Sequence, residues 1–308
     1  MMIKEWPPKY DRYYVPLPNS RYWNEELETM DPVEREKRVI LPKLRAQMKY
    51  AYEKSPFYKK KWDKAGIRFD DIRSLEDFEQ IPFVTKDEIR QDQMAAPPFG
   101  SNLCVSWKEL ARVQGTSGTT GKPTAFGISR GDMARIAEAH ARIMWSFGVR
   151  EEDILFIGSF FSLYWGSWGA LAGSERLGAT GFPFGAGVAG QSDRALEWMR
   201  DVMPTVFYGT PSYSLYLAEK AKAKGLDPSK DFNFRALFFS GEPGAGVPST
   251  KKRIEEIYGG ICIDSGSTAE MTPWMSNCEC DSRQGMHLWQ DLVYAELVDP
   301  ETKKRVPY

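Results

Sequence analysis

The sequence predicts an α/β protein with a mostly parallel sheet flanked by helices. Two observations carry this. Short apolar runs recur after Leu110, at 154–157, 205–208, 236–239 and 261–263. Between them lie segments whose apolar residues repeat at helical spacing. Near-continuous apolar runs suit strands covered on both faces, and alternation with helices supplies the cover.

Taken in order, residues 1–30 are rich in Pro and Tyr and show no period, which reads as an extended arm. Leu44, Met48, Ala51 and Tyr52 then mark a helix that Ser55-Pro56 should end, since the residue before proline is pushed out of the α region. Ser74-Leu75-Glu76-Asp77 and Thr85-Lys86-Asp87-Glu88 fit capping boxes and predict two short helix starts. Pro97-Pro98-Phe99-Gly100 reads as a loop between an N-terminal arm with helices (1–100) and an α/β domain (101–308). Within that domain Leu196, Met199 and Met203 share a helical face. Tyr213, Leu217 and Ala221 outline a further helix that Gly225 should close. The segment 292–300 reads as a strand and turn whose partner strand is missing.

At 308 residues, 42% of them hydrophobic and 27% charged, the chain can build a substantial core. Its net charge of -1 and dispersed basic residues argue against a nucleic-acid partner. Lys59-Lys60-Lys61 and Lys251-Lys252-Arg253 read as solvated helix faces. Four cysteines are too few for a disulfide framework in a chain of this length. No stretch approaches the ~18 apolar residues that span a bilayer, and the N-terminus lacks an apolar signal core. The expectation is a soluble cytoplasmic protein with no membrane partner; a homodimer is allowed.

The segment densest in chemistry runs Gln114-Gly115-Thr116-Ser117-Gly118-Thr119-Thr120-Gly121-Lys122-Pro123-Thr124. Glycines let backbone N–H groups approach a phosphate, hydroxyls donate to its oxygens, and lysine supplies charge. The spacing is not that of the common P-loop. The alternative is a flexible Ser/Thr/Gly hairpin.

Thr116 to Lys122 resembles the phosphate loop of the adenylate-forming superfamily. Further segments narrow the resemblance to the phenylacetate–CoA ligase family: Tyr52-Glu53-Lys54-Ser55-Pro56-Phe57-Tyr58, Ile81-Pro82-Phe83-Val84-Thr85-Lys86, Gly173-Ser174-Glu175-Arg176-Leu177-Gly178-Ala179-Thr180 and Thr210-Pro211-Ser212-Tyr213. It implies the fold of that superfamily's large N-terminal domain. It also implies an AMP-forming ligase that uses ATP, Mg²⁺ and CoA on a small carboxylic acid, with Thr116, Lys122 and Glu270 catalytic. The alternative is a nucleotide-binding fragment, or an adenylate-forming protein without complete CoA ligase activity. Relatives continue into a small C-terminal domain bearing a catalytic lysine, so the resemblance implies a chain not fully active alone.

Two further segments belong to the same resemblance. Ser240-Gly241-Glu242-Pro243 is similar to the family's adenine-pocket turn. Asp264-Ser265-Gly266-Ser267-Thr268-Ala269-Glu270 is similar to the element that stacks on adenine, binds the α-phosphate and reaches Mg²⁺ through its glutamate. Here Ser265 replaces an aromatic, and Ala269 separates Thr268 from Glu270. The acid stays open: Met271-Thr272-Pro273-Trp274-Met275 resembles a branch acting on short hydroxylated acids, while an aromatic loop suggests aryl acids.

That loop holds Phe161, Tyr164, Trp165 and Trp168 among glycines. These side chains can wall an acyl pocket or pack helices. His140 shares a helical face with Ile136, Ile143 and Met144, which reads as a packed core histidine. Cys278-Glu279-Cys280 with His287 supplies three zinc-type ligands, with Cys262 a candidate fourth in a structural site.

Overall fold

A computed structural model describes residues 15–116, 123–188, 190–271 and 275–306. It divides into two units. Among the described residues, the first holds 24–116, 123–133 and 289–306, and the second holds 15–23, 134–188, 190–271 and 275–288.

In the first unit, α1 (Glu25–Glu28) and α2 (Pro32–Arg35) are single turns capped by Asn24 and Asp31. A π turn at Glu36–Ile40 leads into α3 (Leu41–Lys54). As the sequence predicts, α3 stops at Ser55, which then caps α4 (Pro56–Ala65), with Pro56 at its first position. Met48 and Ala51 of α3 pack with Trp62 of α4, Ile67 and Ile72 in a local apolar cluster. Of the two predicted capping boxes, Thr85 and Glu88 form one in full and start α5 (Lys86–Ala95). At the other, Asp77 accepts from the backbone of Arg73 and Ser74, and only a 3₁₀ turn at Glu76–Gln80 follows. Strands β1 (Leu110–Gly115) and β2 (Ala125–Ser129) form an antiparallel pair bracketing the glycine-rich segment.

The C-terminal segment, expected as a turn after a strand that lacks its partner, has the turn. Residues 292–297 make no ladder, and Val298 pairs with Arg305 in a single bridge across a turn capped by Asp299. The Val306 N–H donates to the Leu297 carbonyl at 2.8 Å, and Tyr294 sits edge-on to Phe78 at 6.0 Å.

The second unit begins within α6 (Arg130–Ser146), from residue 134 onward. It continues β3 (Ile154–Ile157), α7 (Gly166–Leu177), β4 (Thr180–Phe182), α8 (Gln191–Val202), β5 (Val206–Gly209), α9 (Pro211–Ala223), α10 (Pro228–Asp231), β6 (Ala236–Phe239), α11 (Pro248–Tyr258), β7 (Ile261–Ser267), β8 (Met275–Glu279) and β9 (Met286–Leu288). The sheet order is β4-β3-β5-β6-β7-β8-β9. The first five strands in that order are parallel, and β8 and β9 add antiparallel. Phe156, Phe207, Leu237, Phe239 and Cys262 from the strands meet Leu196, Met199, Leu217 and Ile254 from the helices in the main core.

Three expectations need correction here. Met203 is not on the α8 face: the helix ends at Val202, and Met203 adopts φ 52° and is exposed. Strand β7 runs past its apolar start through Asp264, Ser265 and Gly266, because β8 pairs with that polar half. Lys251 is not on a solvated face. Its side chain is 16% exposed and ion-paired to Glu279, while Lys252 and Arg253 do face solvent.

Candidate functional site

In the second unit, β3, β5, β6 and β7 end on one edge of the sheet, since Gly209, Phe239 and Asp264 lie in register. Ligands of open α/β sheets collect outside such strand ends. β6 runs directly into Ser240-Gly241-Glu242-Pro243. Gly241 adopts φ 93°, a conformation that L side chains rarely take, so the turn needs glycine there. The Glu242 carboxylate accepts from the Ser212 N–H at 2.7 Å, in the first turn of α9, where negative charge is favoured. Ser240 is buried, and its Oγ lies 2.7 Å from the Tyr208 hydroxyl and 3.4 Å from that of Tyr164.

Ser265 Oγ donates to the Phe239 carbonyl at 2.7 Å, which ties β7 to the last residue of β6. A Cβ on Gly266 would lie 2.4 Å from Asn277 Oδ1, so β8 closes over that position. Ser267, the last β7 residue paired with β8, and Thr268 beyond it are exposed, and Glu270 is half-buried. Burial holds the Asp264 carboxyl above the usual carboxylate range; Glu279 adds to this and Lys251 opposes it. The Asp264 N–H donates to Glu279 Oε2 at 2.8 Å, and Lys251 Nζ donates to both Glu279 oxygens at 2.6 and 2.5 Å. Sequence reasoning missed Lys251 and Glu279. The signal was available: Lys251, Ile254 and Tyr258 fall on one face of α11.

In the first unit, Thr116 follows β1. Its N–H donates to the Thr124 carbonyl, and its Oγ1 accepts from the Thr124 N–H, both at 3.0 Å. These bonds close the base of the glycine-rich loop. Gln93 of α5 pins the start of β2 twice, donating to the Ala125 carbonyl at 2.8 Å and accepting its N–H at 3.0 Å. Gln114 Oε1 and Thr124 Oγ1 are buried there without a hydrogen-bond partner among the described residues. Ser117, Gly118, Thr119, Thr120, Gly121 and Lys122 lie outside the described residues.

The four aromatics fall into different settings. Trp165 is buried before α7. Phe161 and Trp168 pair edge-on at 4.8 Å, with Trp168 Nε1 donating to the Ser162 carbonyl at 2.9 Å. Tyr164 instead reaches the Ser240 turn. Thr272, Pro273 and Trp274 lie outside the described residues.

His140 packs as predicted. A carbonyl only accepts, so Nδ1–H donates to Ile136 O at 2.9 Å and Nε2 carries the lone pair. Nε2 is buried without a hydrogen-bond partner among the described residues, against α7, where a Cβ on Gly169 would lie 2.2 Å away. Burial pushes the imidazole down to about 4.

The zinc set is not assembled. Among the described residues, no group of three or more His, Cys, Asp or Glu side chains could hold a metal ion. Cys262 belongs to the apolar core, and burial pushes its thiol up to about 12. Cys278 is fully buried and its thiol is likewise pushed up, while His287 opposite it on β9 is exposed. Cys280 is also buried, and its Sγ accepts from the Ser282 N–H at 3.4 Å. Zinc binds thiolate, and burial in apolar surroundings disfavours that form. Among the described residues, no helix is long and apolar enough to cross a membrane.

Comparison with known proteins matches residues 35–308 to the AMP-binding enzyme family. The phenylacetate-coenzyme A ligase of Pseudomonas putida is 32% identical over 87% of this chain and 58% of its own length. That of Thermus thermophilus is 33% identical over 92% of this chain and 61% of its own length. Among solved structures, 2-hydroxyisobutyryl-CoA ligase in complex with 2-HIB-AMP and CoA superposes with a TM-score of 0.94. It shares 51% identity, covering 99% of this chain and 64% of that one. The chain thus spans under two thirds of the length of these relatives. With the parallel strand ends and their two polar segments in place, the chain belongs to the AMP-binding enzyme family and is similar to phenylacetate–CoA ligases.

Proposed function

We propose that this chain is the nucleotide-binding part of an AMP-forming acyl-CoA ligase acting on a small carboxylic acid. The observation that carries this reading is the pair of adjacent strand ends, β6 and β7, locked by the Ser265–Phe239 bond and bearing 240–243 and 264–270. Gly241 turns without a side chain to obstruct an approaching flat base, which fits an adenine there. Ser240-Gly241-Glu242-Pro243 is assigned to adenine, and Asp264, Ser265, Gly266, Ser267 and Thr268 to ribose and α-phosphate. In the first unit, Thr116 and the loop through Lys122 are assigned to the phosphates, where backbone amides and lysine offset their charge. The buried Thr124 hydroxyl at the loop base suits that role. Magnesium would neutralise phosphate charge, with Glu270 as the carboxylate that holds it.

The reaction has two displacements. The acid's carboxylate oxygen bonds to the α-phosphorus of ATP as pyrophosphate leaves. The CoA thiolate then bonds to the acyl carbon as AMP leaves. No residue of the chain becomes a covalent nucleophile, so the protein's contribution is orientation and charge stabilisation.

A protein extended to the full length of these relatives, given ATP, Mg²⁺, CoA and a panel of aryl, short-chain and hydroxy acids, is expected to release pyrophosphate only when an acid is present. It should form acyl-CoA, followed by chromatography, only when CoA is added. Acid-independent pyrophosphate release, or none, would overturn the proposal. Removing the lysine charge in Lys122→Ala is expected to weaken ATP binding by about 10–100-fold in calorimetric titration, the range for a lost charged hydrogen bond. Equal affinities would remove Lys122 from the phosphate site.

A further inference from the structure

Among the described residues, β1 and β2 of the first unit form a sheet of two strands, with no third strand bonded to the outer edge of β2. In an antiparallel pair the backbone groups of alternate residues point outward. Ala125, opposite Gly115, is such a residue. Its carbonyl accepts from Gln93 Nε2 at 2.8 Å, and its N–H donates to Gln93 Oε1 at 3.0 Å. A carboxamide carries the same donor and acceptor as a peptide group. Gln93 therefore bonds the edge of β2 as one residue of a third strand would.

The residue type is informative. Gln93 is 7% exposed and lies one turn after Ile89 on the buried face of α5. A methionine would fill that face as well, without the cost of burying an amide. The two bonds that recover this cost both go to Ala125, where the chain enters β2. One residue earlier, Thr124 bonds back to Thr116 through its carbonyl and its N–H. The Thr124 hydroxyl is buried without a hydrogen-bond partner among the described residues, so it has a hydrogen to give to a ligand oxygen. A two-stranded ribbon is marginal by itself, so the resting place of its loop end depends on what grips it from outside.

We infer that Gln93 is a positioning residue for the triphosphate of ATP, holding the root of the glycine-rich loop where the loop can take up phosphate oxygens. It acts through the backbone of Ala125, not by contact with the nucleotide. This rests on the assignment of Thr116 to Lys122 to the phosphates made above, and it extends that site to a helix outside the motif. Without the two bonds, the Ala125 N–H and carbonyl turn towards water and the root samples other positions. Affinity for ATP then falls with the fraction of molecules whose root is in place. AMP differs, because its one phosphate is assigned to 264–268 and not to the loop.

The test is calorimetric titration of ATP with Mg²⁺, and of AMP, into the protein extended to the full length of its relatives. Wild type is compared with Gln93→Met, which keeps the length of glutamine and makes neither bond. The variant is expected to bind ATP about tenfold more weakly, as for a root in place in roughly one molecule in ten, and AMP as wild type does. A merely structural role would lower the urea midpoint and leave the ratio of the two affinities unchanged. Gln93→Glu is the second variant. Its carboxylate accepts the Ala125 N–H but has no hydrogen for the carbonyl, so it too should weaken ATP selectively, and it decides the matter should Gln93→Met not fold. A wild-type ratio in the folded variants, with Lys122→Ala lowering that ratio, overturns this inference alone. If Lys122→Ala also keeps the wild-type ratio, the phosphate assignment fails, and this inference with it.

Discussion

Lys251→Met is expected to destabilise the protein by about 3–5 kcal/mol, read as a lower urea midpoint. Lys251 and Glu279 form a salt bridge with side chains only 16% and 10% exposed. Removing the lysine strands the Glu279 carboxylate beside Asp264, whose own carboxyl burial already holds above its ordinary range. Breaking a buried pair costs far more than the pair contributes, because the surviving charge keeps its desolvation penalty. The double variant Lys251→Met/Glu279→Met should therefore recover part of the loss, although it also leaves the Asp264 N–H without its acceptor. A single variant with the wild-type midpoint would show that the bridge is solvated in practice.

The second large effect is acid lability from His140. The folded imidazole titrates at about 4, against an ordinary value of 6.5, because burial penalises its charged form. Between those two pH values the unfolded chain binds a proton that the folded chain refuses. Stability is therefore full above pH 6.5 and falls as pH drops towards 4, by on the order of 3 kcal/mol across the window. Asp153 behaves differently. Burial alone would raise its carboxyl, but bonds from Arg235 and Thr205 outweigh this and hold it below the usual range. Its contribution is present above the ordinary carboxylate value and is lost only at lower pH. Urea midpoints of wild type and His140→Leu from pH 4 to 7 isolate the imidazole, since the other groups are common to both. The variant should show the flatter profile, and parallel profiles would refute the assignment.

The parallel strands were legible because a strand covered on both faces shows no alternation: 154–157 and 236–239 are apolar throughout and were read with their bounds. The polar half of β7 was not, since Asp264 owes its extended backbone to Phe239 of β6, and Ser265 and Gly266 owe theirs to β8, pairings that a polar run does not announce. The tail at 292–297 was read as a strand lacking its partner. Its alternation matches a strand, but the segment forms no ladder. In the candidate site, the Ser240 and Ser265 segments could be placed because each follows a buried run. The partnership of Tyr164 with Tyr208 and Ser240 could not, since it depends on which loop side chain turns towards the sheet. The zinc set failed on burial. Cysteine spacing does not reveal that Cys262 and Cys278 are buried.

The order of strands in the second unit has a consequence for how copies of the protein meet. Its outermost strands, β4 (Thr180–Phe182) and β9 (Met286–Leu288), are three residues each. A sheet margin is a row of unmet amides and carbonyls that can template another chain, and brevity is one of the ways proteins blunt it. The fully buried, apolar β5 and β6 would be the dangerous templates, and they lie in the interior of the sheet with a strand on each side. Strand-by-strand polymerisation is thereby discouraged as long as β4 and β9 stay docked. Conditions that peel either margin away would uncover β3 or β8, making those two the first points at which aggregation could start.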